Sequence, residues 1–291
     1  MSTLRFVKPR LVQNAEFWSV NPNVVHPTNI GGAGFDVTQH DGLRIAVRNA
    51  IKQSSYGRSA PVSMSSILNN LYPANFQQSW QAVTCVENHD IIKVNADLRL
   101  PALADGNDHH SWYARSRSRV ATGLLLTAPG IPQLFMGQEF LEDKQWSEDP
   151  HSGNLLYWQG LDSGNTVMVD HLRFTRELIH LRWRLAALRS GSVRGFLADD
   201  FNRILAFHRW IEGSGQDVII VVSLNDNSFY GYNIGFPSRG VWQEVFNSDV
   251  YDNWVTTGNG GAISAYGNGL HGFTSSSSIV IPANSIMVFT L

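Results

Sequence analysis

The sequence predicts a two-part chain, an α/β region over residues 1–191 followed by an all-β region over 192–291. Three observations predict it. Apolar runs of strand length alternate with helix-period runs up to "RELIHLRWRLAALRSG", which favours βα units and a parallel sheet. After Gly191 the runs become short, rich in β-branched residues, and separated by Gly, Asn and Ser clusters, as in an antiparallel sandwich. Several strands of the first part end in polar or charged residues, which in a (β/α)8 barrel is where a site is built.

The elements follow in order. "RLVQNAEF" (10–17) reads as a short buried strand. "GGAGFDVTQH" (31–40) reads as a glycine turn and a second strand. "DGLRIAVRNAI" (41–51) places Leu43, Val47, Ala50 and Ile51 at helical spacing, with Asp41 as the N-cap. "WQAVTCVENHD" (80–90) is a third strand, apolar until its last four residues. "SWYARSRSRVATGLLLTA" (111–128) is a helix capped by Ser111 and stopped by "PGIP". "PQLFMGQEF" (132–140) is a fourth strand. "DHLRFTRELIHLRWRLAALRSG" (170–191) is an amphipathic helix closed by Gly191. Beyond it, "RILAFHRW", "DVIIVVSLND", "WQEVFNS" and "SSIVIPANSIMVFTL" are β segments that bury one face. This region is expected to pack on the 170–191 helix, away from the strand ends. "TTGNGGAISAYGNG" (256–269) reads as a loop.

Composition narrows the function classes. The chain has 291 residues, 43% apolar and 16% charged, with a net charge of -2. With no long basic run, neither nucleic acid nor an anionic membrane is the expected partner. Cys85 is the single cysteine, so no internal disulfide and no Cys-based metal site is expected. No stretch approaches the ~20 apolar residues of a membrane span, and "MSTLRFVKPR" lacks the apolar core of a signal peptide. No cofactor is expected. The nine Trp fill a core or stack on sugar rings, and composition does not choose between these.

"CVENHD" concentrates Glu87, Asn88, His89 and Asp90 at the end of an apolar run, where burial of such groups is costly. Together with "NAEFWSVNP", "GGAGFD" and "SRSRVATGLLLTAPGIPQLFMGQEF", in that order, it resembles the second half of an α-amylase-superfamily (glycoside hydrolase family 13) enzyme. Within that superfamily it is most similar to α-1,4-glucan branching enzymes. "NRILAFHRW", "VSLND", "FNSDVYDNW", "GNGGAI" and "IPANSIMVF" resemble their C-terminal domain.

The resemblance implies the C-terminal half of a (β/α)8 TIM barrel, strands five to eight, followed by an antiparallel β-sandwich. It implies retaining double displacement at an α-glucosidic bond, a glucanotransfer that forms α-1,6 branches in glycogen or starch, with an α-glucan as the substrate. The alternatives are an α-amylase-type hydrolase and an inactive glucan-binding fragment. Glu16 in "QNAEFW" matches the acid/base, and its neighbours Phe17 and Trp18 suit a desolvated carboxyl. Asp90 matches the carboxylate that binds sugar hydroxyls. His89, Asn88 and Trp146 are the expected substrate-binding residues. Glu87 is expected to support them, and Gln138 and Glu139 to line the cleft. The nucleophile motif, Gly-x-Arg-x-Asp, does not occur; the fifteen residues before Glu16 hold no Asp. The chain alone is therefore expected to be an inactive fragment that self-associates or binds a missing N-terminal half. The expected compartment is the cytoplasm, or a plastid.

Overall fold

The computed structural model describes residues 2–252 and 257–291. The Asn253–Trp254 end of "FNSDVYDNW" and Thr256 of the 256–269 loop lie outside the described residues. A four-stranded parallel sheet runs in chain order through β1 (Asn14–Ala15), β2 (Val37–His40), β3 (Ala82–Cys85) and β4 (Ile131–Gln133). Helix α1 (Ser2–Val7) precedes β1, and α2 (Gly42–Ser54) and α3 (Met64–Asn69) lie between β2 and β3. Helices α4 (Leu100–Ala104) and α5 (Trp112–Thr127) lead into β4; α6 (Trp158–Asp162) and α7 (Thr166–Arg184) follow it.

The strands are shorter than their apolar runs, because side chains take over backbone bonding at their ends. Gln13 N–H donates to Asp36 Oδ2 (2.8 Å) and Thr38 Oγ1 donates to Ala15 O (2.9 Å), leaving β1 two residues long. The 80–90 run leaves the sheet after Cys85, where Glu87 turns inward to Arg99. Pro132 lacks an N–H and limits β4, and positive φ at Gly137 (89°) and Leu141 (67°) turns the rest of "PQLFMGQEF" into a loop with a 3-10 turn.

Helix caps agree in part with the sequence. Ser111 Oγ accepts Ala114 N–H (3.0 Å) as expected. Asp41 holds the N-cap position of α2 as expected, but its side chain makes no capping bond; its carboxylate sits 3.4 Å from Arg44. Helix α7 begins four residues before the expected start, because Asn165 Oδ1 accepts from Val167 and Met168 N–H. It ends at Arg184, and Ala186–Arg189 tightens to a 3-10 turn before Gly191.

The second part is antiparallel. Strands β5 (Val193–Asp199), β6 (Ile204–Ile211), β7 (Gln216–Ser223), β8 (Phe229–Phe236), β9 (Gly240–Asn247), β10 (Ala262–Ala265), β11 (Ser275–Ile281) and β12 (Ile286–Thr290) form two sheets. The larger has the order β10-β9-β12-β7-β6-β5, and β8 pairs with β11 against it. The expectation that these strands bury one face fails for the middle of the larger sheet. Leu205, Phe207, Val218, Ile220, Val222, Ile286 and Val288 join the core of the helices, while Ile204, Ala206, Ile219, Val221, Met287 and Phe289 face the smaller sheet. The period of two is intact, but both faces are dry.

The two parts share that core. Gly123 of α5 sits against Ile286; a Cβ there would lie 2.8 Å from Ile286 Cγ2. Buried Arg209 donates to the carbonyls of Thr127, Leu188, Ser190 and Ser192, and Arg203 to those of Gly57, Ala60 and Leu224. Arg117 pairs with Asp226 (3.0 Å) and Arg119 with Asp252. The sandwich thus packs on α5, on α3 and on the turn after α7, rather than on α7 alone, and away from the C-terminal ends of the parallel strands.

Candidate glucan site

Four loops leave the C-terminal ends of β1–β4 on one side of the parallel sheet, and they carry the site. Glu16 follows β1 by one residue. His89 and Asp90 follow β3 after the turn at Glu87. The three meet: Glu16 Oε1 lies 3.5 Å and Asp90 Oδ1 3.4 Å from His89 Nε2. One donor atom from each falls within 4.8 Å of the others, and all three side chains are about half exposed. Among the described residues this is the one His/carboxylate group compact enough to hold a metal ion, but open acidic groups converge in this way without one.

The desolvated setting expected for Glu16 is not present: Phe17 and Trp18 are themselves exposed, and Trp18 lies under Arg44 at 5.8 Å. The arrangement is an open triad of hydrogen-bonding groups, able to accept from hydroxyls and to exchange a proton.

The supports are buried. Glu87 and Arg99 form an ion pair at 3.0 Å with both side chains removed from solvent. Glu87 Oε1 also accepts Leu100 N–H (2.6 Å), at the start of α4. Arg99 donates to Met136 O (3.0 Å) and Lys144 O (2.9 Å), tying the loop after β4 to the turn after β3. Glu87 therefore acts on the triad only through the backbone it fixes.

Asn88 is buried, and its Oδ1 accepts Ile91 N–H (2.9 Å), so it shapes the turn that presents His89. Trp146, from the loop after β4, is bonded onto that turn: its indole N–H donates to His89 O, its backbone bonds to Ile92 and Val94, and its ring meets the imidazole edge-on at 6.3 Å. Gln138 does not line the cleft; it is buried, and its amide donates to Thr122 Oγ1 of α5 at 3.1 Å. Glu139 is half-buried beside it.

Sequence reasoning missed Arg99 and Glu142. Glu142 is buried and accepts from the backbone of Asp143, Lys144 and Tyr157. The available signal was the density of charge in "LEDK" directly after an apolar run.

Comparison with known proteins bears on the fold and the family resemblance. Residues 197–291 match the alpha-amylase C-terminal all-beta domain. The chain is 32% identical over 185 residues to a 1,4-alpha-glucan branching enzyme of Xanthomonas campestris pv. campestris, covering 61% of this chain and 25% of that protein. It is 30% identical over 292 residues to one of Mycolicibacterium paratuberculosis, covering 96% of this chain and 37% of that protein. Over nearly its whole length the chain is thus similar to 1,4-alpha-glucan branching enzymes, and its last third to the alpha-amylase C-terminal domain. It spans between a quarter and two fifths of the length of these relatives. An alpha-amylase from Geobacillus thermoleovorans, solved with acarbose, has the same fold over 99% of this chain and 55% of its own, with TM-score 0.66 at 16% identity. The parallel sheet is thus part of a (β/α)8 barrel, and β5–β12 form the antiparallel β-sandwich that follows it.

Proposed function

We propose that this chain supplies the acid/base and sugar-holding side of an α-1,4-glucan branching site. The observation that carries the reading is the convergence of Glu16, His89 and Asp90 at the C-terminal ends of parallel strands. In the first half-reaction a carboxylate nucleophile, contributed by polypeptide other than these residues, attacks the anomeric carbon. Glu16 gives its proton to the departing glycosidic oxygen. In the second, the Glu16 carboxylate removes the proton from the 6-hydroxyl of an acceptor glucan. That oxygen displaces the enzyme carboxylate, so the configuration is retained. Asp90 accepts hydrogen bonds from ring hydroxyls that strengthen as the ring flattens toward the oxocarbenium-like transition state. His89, between the two carboxylates, contributes a further polar contact, and Trp146 fixes its backbone. Glu87, Asn88 and Arg99 are positioning residues.

The branching reading is favoured over hydrolysis by the names of the similar curated proteins. The chemistry differs only in whether a sugar hydroxyl or water is the acceptor. The substrate in this reading is an α-glucan. No helix among the described residues is long and apolar enough to cross a membrane. Residues 1–291 alone are expected neither to branch amylose nor to release reducing ends, since no glycosyl–enzyme intermediate forms without the nucleophile. Calorimetric titration with maltoheptaose tests the binding half. Asp90→Ala and His89→Ala should each weaken binding by about tenfold. Binding unchanged in both, or turnover by the unmodified chain that Glu16→Gln abolishes, would refute the reading as stated.

A further inference from the structure

Trp183 is the most exposed tryptophan among the described residues, at 75%, and it belongs neither to the core nor to the triad. It stands on α7, which buries Met168, His171, Phe174, Thr175, Leu178 and Leu181 on one face. The 3.6-residue period then turns Arg176, His180, Trp183 and Arg184, at i, i+4, i+7 and i+8, to the opposite face, and all four are exposed. Arg189, in the turn that follows, brings its guanidinium to 5.9 Å from the Trp183 ring.

This face is cationic and unneutralised. Among the described residues no carboxylate pairs with Arg176, Arg184 or Arg189. Glu177, next to Arg176 in sequence, is already engaged: its Oε1 lies 3.7 Å from Arg173 Nε, and its Oε2 accepts the Tyr251 hydroxyl. Arg182 shows the contrast, since it folds back onto the carbonyls of Leu126, Ala128 and Gly130 and supports the helix packing. The three exposed arginines support nothing in the fold. The chain as a whole carries a charge of -2, so the cations are a local feature rather than a share of a basic molecule.

The spacing selects the ligand. Arg176 and Arg184 lie about 12 Å apart along the helix axis, so they do not converge on a single phosphate. A nucleic acid duplex is held by roughly 6–10 phosphate contacts, more than this face offers. A membrane surface takes up the apolar face of a helix, and that of α7 is already packed in the core. What matches is a polypeptide with carboxylates one helical turn apart and an apolar side chain between them.

We propose that this face of α7 is a docking surface for an acidic helical segment of a partner protein. Arg176, Arg184 and Arg189 pair with its Glu or Asp side chains. Trp183 is the anchor, covered by the partner's apolar side chain, as Trp and Arg dominate the energetic centres of protein interfaces. Docking here requires nothing of the glucan site.

Fluorescence anisotropy of the full chain with a labelled helical peptide of roughly 18 residues, rich in glutamate and leucine, tests this. Binding in the micromolar range is expected at low salt, weakening as salt screens the exposed charges. Arg176→Glu combined with Arg184→Glu should weaken it by more than about tenfold, and Trp183→Ala by roughly tenfold. The unfolding midpoint should stay in place, because the three side chains are exposed. Arg10→Glu combined with Arg58→Glu makes the same change in net charge at exposed positions outside α7, and should leave binding within about twofold. No binding of the peptide, an equal loss in both charge-reversed pairs, or binding that Trp183→Ala leaves unchanged would overturn the docking surface. So would a single-stranded oligonucleotide, or phosphatidylserine vesicles, bound at this face more tightly than the peptide. Self-association through Trp183 that the peptide does not relieve would overturn it as well.

Discussion

At the scale of single residues, the four positions Glu87–Asp90 separate into support and surface. Glu87 and Arg99 are fully buried as a pair, and removing one partner of such a pair leaves an uncompensated charge. Glu87→Gln should lower the unfolding free energy by about 3 kcal/mol, measured by urea denaturation. Asp90→Asn, at a side chain 59% exposed, should change it by less than about 0.5 kcal/mol. A second residue-scale prediction concerns His171. Burial, with Arg119 adding to it, pushes its imidazole down to about 3. The unfolded chain therefore binds a proton near pH 6.5 that the folded chain refuses until about pH 3. The stability present above pH 6.5 is lost as pH falls, by up to about 5 kcal/mol from this group. His171→Leu should flatten the fall of the denaturation midpoint between pH 6.5 and 4; an unchanged slope would contradict the assignment. The ENHD cluster was legible because charge at the end of an apolar run is costly. The division of labour within it was not, since burial of Glu87 depends on Arg99, twelve residues away in sequence.

At the scale of elements, α5 packs closely on β12 where the two parts meet. Gly123→Val adds atoms where a Cβ already meets Ile286 Cγ2 at 2.8 Å, and should destabilise by about 1–3 kcal/mol. A neutral effect in thermal melts would show that the joint is loose. The sequence patterns located α5 well because Ser111 and "PGIP" punctuate it. They missed β5, β8 and β10, whose runs "VRGFLAD", "FYGYNIGF" and "AISA" mix glycine and polar residues into the strand pattern. They also mistook β6 and β7 for one-faced strands. Alternation shows which side a residue takes, not what lies against that side; the layer that dries the second face is assembled from separate elements, α3, α5 and the Ala186–Arg189 turn.

At the scale of the whole molecule, the parallel sheet ends at β1 and β4 with no further strand paired to either among the described residues. Phe6, Val7, Val12 and Ile30 are each more than 60% exposed near the β1 side. Open edges and exposed apolar residues favour association. Sedimentation velocity should show a concentration-dependent rise in mass over roughly the micromolar range at which protein contacts of ordinary size form; a constant monomer would contradict this. The shared core also predicts that both parts unfold together, with tryptophan fluorescence and far-ultraviolet circular dichroism giving one coincident urea transition.

The central claim is that Glu16, His89 and Asp90 hold an α-glucan. The most direct test is a crystal structure of the chain soaked with maltoheptaose. The account predicts a glucose ring with hydroxyls within about 2.6–3.2 Å of Asp90 and His89, and a glycosidic oxygen at the same range from Glu16. Sugar bound elsewhere on the molecule with that triad empty would contradict it.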